Sequence, residues 1–201
     1  RVLSWDPAAP VEEFIARWDQ MPDLKRAELI DGVVYMPSPL SRSHACGDSL
    51  VTMLLRLYSL STPGCEAGHQ ATWYLLKDAP QPDAFLRVLT EYGGQSKVVD
   101  DFYYGAPEFA AEVCVSSTSY DMNQKKDLYQ RAGVQEFLAV LVKEKEVRWH
   151  RLAQGAYVLL APDAQGVLRS QIFPGLWLNA RALWAGEDAE VLATLEQGLQ
   201  S

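Results

Sequence analysis

The sequence predicts a single α+β domain, of the α/β/α type, in which a mixed sheet is flanked by helices. Three observations carry this. Short apolar runs bounded by Pro or Gly recur from Trp73 onward, a long stretch before them repeats at helical spacing, and a shorter helical stretch sits between two of the runs.

Taken in order, Val11, Phe14, Ile15 and Trp18 follow Pro10 at helical spacing, so a short helix starts there with Pro in its first turn. Leu29-Ile30 and Val33 to Tyr35 flank Asp31-Gly32, the signal of a type I′ hairpin. From Ser41 to about Ser59, His44, Asp48, Val51, Leu54, Leu55 and Tyr58 line one helical stripe, which Pro63-Gly64 stops. Trp73 to Leu76, Asp83 to Thr90 and Phe109 to Val115 read as strands. Glu91 to Tyr104, with two Gly, three acids and little periodicity, reads as a surface loop. Ser117 or Ser119 can cap a helix from about Asp121 to Ala132, which Gly133 ends. Glu136 to Val142, Val147 to Leu152, Tyr157 to Leu160 and Val167 to Phe173 then read as strands, and Glu187 to Leu199 as a last helix.

The 201 residues amount to little more than one domain of roughly 150. The expected division is a main unit over 1–182, with 183–201 as a helical extension of it. A hydrophobic content of 48% supplies a core. No window reaches the ~18 apolar residues of a membrane helix, because Arg56 interrupts Val51 to Leu60. Arg1 to Asp6 lacks the apolar segment of an export signal. Cys46, Cys65 and Cys114 form no CxxC or Cys/His cluster, which argues against a disulfide framework and a structural zinc site and fits a reducing cytoplasm. The net charge of −8 opposes diffuse attraction to a phosphate backbone, so any nucleic-acid contact must be local.

Three residues stand out chemically. Glu112 lies at the centre of the apolar run Phe109 to Val115 and shares its strand face with the small Ala110 and Cys114. A carboxylate buried there needs a metal ion, a base or a proton, unless the strand end reaches water. At about 100° per residue, Lys125 falls among Met122, Leu128, Tyr129 and Ala132, whereas Lys126 falls beside Gln130. Lys125 is therefore either an inward base or a stem whose ammonium snorkels to water. Pro82-Asp83 places an acid where a strand leaves a turn, a position that ordinary turn chemistry also explains.

The ordered set Pro82-Asp83, Glu112 and Lys125 resembles the PD-(D/E)XK nuclease superfamily. Glu28-Leu29-Ile30-Asp31-Gly32, Gly105-Ala106-Pro107-Glu108, Glu112-Val113, Ser116 with Thr118, Tyr120-Asp121, Lys125, Tyr129, Ala132-Gly133-Val134 with Glu136, and Phe173-Pro174-Gly175-Leu176 resemble one branch of it, the Uma2 family or DUF820, over about residues 10 to 180. The resemblance implies a restriction-endonuclease-like fold and a family of restriction endonucleases. The sequence departs from it at Cys114, where the superfamily lysine would stand. That lysine moves to the helix in this branch, at the position of Lys125. Ser117 replaces a family Pro, and Val142-Lys143 a Val-Asp.

The resemblance implies that Asp83, Glu112 and the Val113 carbonyl hold Mg²⁺, with Mn²⁺ as a substitute, while Lys125 holds or deprotonates the water that attacks a phosphodiester. Glu28 and His44 are second-tier candidates to orient water or bind a second ion. His44 can equally be a satisfied helix histidine near Asp48. The expected partner is nucleic acid, DNA ahead of RNA, with no nucleotide cofactor and no membrane. The alternative is a non-catalytic binding or assembly module, a homodimer through the aromatic C-terminal half. A hydrolase built on Cys114 or Ser116 with His44 is a weaker alternative, since the Gly-x-Ser-x-Gly elbow is missing.

Overall fold

Two runs that are apolar almost throughout, Phe109–Cys114 and Glu136–Leu141, are buried at every position and pair in parallel. Parallel strands need a crossover, and strands covered on both faces read as continuous apolar runs. A helix, Lys126–Ala132, lies between them in the chain, as such a crossover requires. The computed structural model describes residues 2–4, 11–21, 23–24, 26–36, 41–115 and 121–201. The predicted caps Ser117 and Ser119 lie outside the described residues.

In chain order the elements are β1 (Val2–Ser4), α1 (Val11–Asp19), β2 (Glu28–Ile30), β3 (Val33–Tyr35), α2 (Arg42–Ser61), β4 (Cys65–Gly68), β5 (Trp73–Tyr74), β6 (Ala84–Val88), β7 (Lys97–Val99), β8 (Phe102–Tyr104) and β9 (Phe109–Cys114). There follow α3 (Lys126–Ala132), β10 (Glu136–Leu141), β11 (Glu146–Ala153), β12 (Ala156–Leu159), β13 (Val167–Arg169), β14 (Trp177–Asn179), α4 (Ala180–Ala185) and α5 (Asp188–Leu199). The protein is α+β. Its main sheet has six strands in the order β12-β11-β10-β9-β6-β4, and every pair but β9–β10 is antiparallel.

The alternation of β9 divides the core. Phe109, Ala111 and Val113 pack with Val51, Leu54, Leu55 and Tyr58 of α2 and with Val191 and Leu195 of α5. Ala110 and Cys114 pack on the other side with Leu128 and Tyr129 of α3, Phe137, Trp73 and Phe85. Glu112 belongs to this second face by its register. Gly47 lets α2 approach β9, since a Cβ there would stand 3.1 Å from Val113 Cγ1. The hairpin β2–β3 turns at Asp31 and Gly32, both with positive φ as a type I′ turn requires. Among the described residues no helix is long and apolar enough to cross a membrane.

Two expectations are corrected. Residues 91–104 are not a plain loop, because β7 and β8 form a hairpin whose β8 pairs in parallel with β5. Stacking drives this: Tyr103 lies on Trp73 at 4.4 Å between centroids and Tyr104 on Tyr74 at 4.3 Å. The turn is made by Asp100 and Asp101, both with positive φ, so no Gly announces it. The run from Val167 does not continue to Phe173 as a strand. β13 ends at Arg169 because the buried Glu136 carboxylate captures the next residues, accepting from Ser170 Oγ and Gln171 N at 2.7 Å each, and from Trp149 Nε1 at 3.0 Å. β1, β4, β14 and α4 have no counterpart among the expected elements. Asn179 caps α4 through Oδ1, which accepts from Ala182 N at 3.0 Å.

His150 on β11 packs against the rings of Phe137 and Tyr157. Burial, with the Lys126 charge adding to it, lowers its pKa from 6.5 to about 4. The folded state thus binds fewer protons than the unfolded chain between those values, so stability falls as pH drops from 6.5 towards 4, by up to about 3 kcal/mol. In urea unfolding across this range, His150→Phe is expected to flatten the acid limb of the stability curve.

Candidate metal and catalytic site

Ala84 of β6 pairs with Ala111 of β9, so Asp83, one residue before β6, stands opposite Glu112 on the same face. Two carboxylates on adjacent strands converge for that reason alone. Asp83 is buried, its Oδ2 accepts from Val113 N at 2.8 Å, and His44 Nε2 lies 3.6 Å away. Burial raises the Asp83 carboxyl above the usual range, against the opposing pull of Lys125, the Val113 amide and His44. A strand residue turns its amide and its carbonyl to the same edge, so the Val113 carbonyl shares the Asp83 side of β9.

Glu112 is 1% exposed. Its Oε1 accepts from Lys125 Nζ at 2.8 Å and from the Tyr129 hydroxyl at 2.6 Å. Lys125 is the last residue of a π-helical turn, Asp121–Lys125, that leads into α3. Such turns recur at functional sites, where they re-aim a side chain. The ammonium is buried and also donates to Glu28 Oε1 at 2.9 Å and to the Gln81 carbonyl at 3.1 Å. Glu28 Oε1 in turn accepts from Gln81 N at 2.6 Å, which ties β2 to the approach of β6. Lys125 is thus an inward base and not a snorkelling stem, as the helical spacing allowed.

His44 occupies the first turn of α2, where Ser41 Oγ accepts from His44 N at 3.2 Å. Its ring faces Asp83, whereas Asp48 accepts from Thr52 Oγ1 and Gln70 Nε2. His44 Nδ1 is buried and has no hydrogen-bond partner among the described residues. Asp83, Glu112, Lys125, Glu28 and His44 therefore meet in one place, with the Val113 backbone beside them. Tyr129 and Gln81 are neighbours of the site to which sequence reasoning gave no role. Tyr129 could have been found, since it follows Lys125 by one turn on the same face. Burial holds its phenol well above the usual range, with the Glu112 charge adding to the effect, so it stays protonated and donates.

Other buried acids differ in their partners. Glu108 accepts from the amides of Val88 and Gln95, and Glu136 from Trp149, Ser170 and Gln171, all of them neutral donors that staple loops to the sheet. Glu112 instead meets an ammonium. Glu112 and Glu28 both bond Lys125 and Asp83 stands opposite Glu112, so acids outnumber the lysine, a balance that suits a divalent cation. Among the described residues no three His, Cys, Asp or Glu side chains converge as a metal cage. Two carboxylates and a main-chain oxygen form a smaller donor set, which fits an ion that keeps several waters.

The same fold is found in a protein of known structure. A solved structure from Anabaena variabilis, described as "a putative nuclease belonging to DUF820", matches with a TM-score of 0.69 at 16% identity, covering 88% of this chain and 98% of that one. The family model of Uma2, described as "putative restriction endonuclease", matches residues 11–181. The chain belongs to the Uma2 family. No curated protein matches it.

Removing the lysine tests the electrostatic account directly. Lys125→Met keeps the length of the side chain but leaves Glu28 and Glu112 facing each other without a cation. It is expected to destabilise the protein by about 3–5 kcal/mol in urea unfolding at pH 7. A loss below about 1 kcal/mol, the worth of a surface pair, would contradict the account.

Proposed function

We propose that this protein is a divalent-metal-dependent endonuclease that hydrolyses phosphodiester bonds of nucleic acid, DNA ahead of RNA. The observation that carries the reading is the meeting of Asp83 and Glu112, from adjacent strands, with the buried ammonium of Lys125 at 2.8 Å from Glu112. Family membership supports the class of reaction.

Asp83, Glu112 and the Val113 carbonyl would hold Mg²⁺, or Mn²⁺ in its place. When bound, such an ion stabilises charge on phosphoryl oxygens and acidifies a water. Lys125 would hold the attacking water, and as an ammonium it could take that water's proton only after passing one of its own to a neighbouring carboxylate. Its contacts with Glu28, Glu112 and Gln81 account for three donors, so it serves a water only by exchanging one of these contacts. Glu28 bonds the same lysine, and His44 would hold a water or product oxygen near Asp83. All of these groups come from one chain, so the reading needs no second copy. The three cysteines are free thiols, which suits a reducing cytoplasm.

Calorimetric titration of Mn²⁺ is expected to show saturable binding that Glu112→Gln abolishes. Mg²⁺-dependent cleavage of duplex DNA should be lost in the same variant. No binding by the unmodified protein, with or without a duplex, would overturn the reading in favour of a non-catalytic binding module.

A further inference from the structure

We propose that Tyr129 is a positioning residue for Glu112, its phenol holding the carboxylate in the orientation that receives a divalent cation. The inference rests on the metal-site reading above and assigns a residue that reading does not use.

The argument starts from the surroundings of Glu112. Along β9 its face neighbours are Ala110 and Cys114, and its partner across on β10 is Ala139. None of these is large enough to wall in a glutamate side chain, so directed bonds must do much of the work of fixing its torsions. Lys125 and Tyr129 supply two such bonds, and both end on Oε1. They stand four residues apart and hence on one face of the helix, so the carboxylate is registered against the helix as a unit.

The two donors are not equivalent. Lys125 also reaches Glu28 and Gln81, whereas the Tyr129 hydroxyl donates to Glu112 at 2.6 Å. The Tyr129 ring is fully buried, 5.7 Å from Phe137. A phenylalanine would fill this space equally well, and a buried hydroxyl is costly unless it is used. Tyr58 and Tyr157 show the contrasting case, since their hydroxyls donate to the main-chain carbonyls of Pro174 and Val134, at 2.9 Å each. Those bonds hold chain segments together. The Tyr129 bond holds a carboxylate that belongs to the site. Removal of a group that orients a metal ligand costs about 10–100-fold in metal affinity or activity.

The test uses Mn²⁺ alone and the whole chain. Tyr129→Phe is expected to weaken calorimetric Mn²⁺ binding by about 10–100-fold, while Tyr58→Phe and Tyr157→Phe, which remove hydroxyls bonded to main-chain carbonyls away from the site, leave it unchanged. Binding by Tyr129→Phe as tight as that of the unmodified protein overturns the proposal. So does an equal loss in all three variants, which would mark a general loosening. If the unmodified protein binds no Mn²⁺, the metal-site reading falls as well. If it binds Mn²⁺ and only Tyr129→Phe is neutral, this proposal alone falls. A second readout needs no tyrosine variant: a phenol proton bonded to a carboxylate resonates downfield in the proton NMR spectrum. That resonance is expected to shift on Mg²⁺ addition and in Glu112→Gln, and a resonance that responds to neither overturns the proposal.

Discussion

A carboxylate in the middle of a strand buried on both faces is the constraint around which this structure is arranged. Glu112 cannot be desolvated alone without a cost of several kcal/mol. The crossover between the parallel strands β9 and β10 answers this, because its helix brings Lys125 and Tyr129 down onto the same face. Lys125 has further N–H donors to satisfy, and Glu28 of the β2–β3 hairpin and the Gln81 carbonyl accept from them. The small sheet, the crossover helix and the central sheet are thereby joined through one ammonium. This pattern makes the site part of the core.

The buried acids divide by what they bind. Glu108 and Glu136 each satisfy their oxygens with neutral donors and determine where a loop runs. Asp83 and Glu112 instead meet ionisable groups, His44 Nε2 at 3.6 Å and Lys125 Nζ at 2.8 Å. The same residue type thus serves as a staple in one place and as a ligand candidate in another. Burial alone does not distinguish them, and the chemistry of the partners does.

Much of this was legible in the sequence. The apolar run around Glu112 fixed its strand and its face, and helical spacing placed Lys125 inward, because both inferences depend on local periodicity. The Asp31-Gly32 turn was legible because its backbone demands those residue types. The β7–β8 hairpin was not, since its turn is Asp100-Asp101 and its stability comes from stacking Tyr103 and Tyr104 on residues some thirty positions earlier. The end of β13 was equally hidden, because the group that draws the chain away is Glu136, on another strand.

The sequence by itself marked Glu112 and Lys125, since a charge at an apolar position is visible from its neighbours, while Asp83, Glu28 and His44 drew their weight from the family resemblance. Only the tertiary structure decided that they meet. The register of β6 against β9 sets Asp83 opposite Glu112, and the π-helical turn before α3 sets the reach of Lys125 to Glu28 and Glu112. Register and helix placement are fixed by packing between distant segments, which no local pattern records. The role of Tyr129 belongs to the same class. Its spacing from Lys125 was present in the sequence, but the 2.6 Å bond to Glu112 exists only once the crossover has folded onto the sheet.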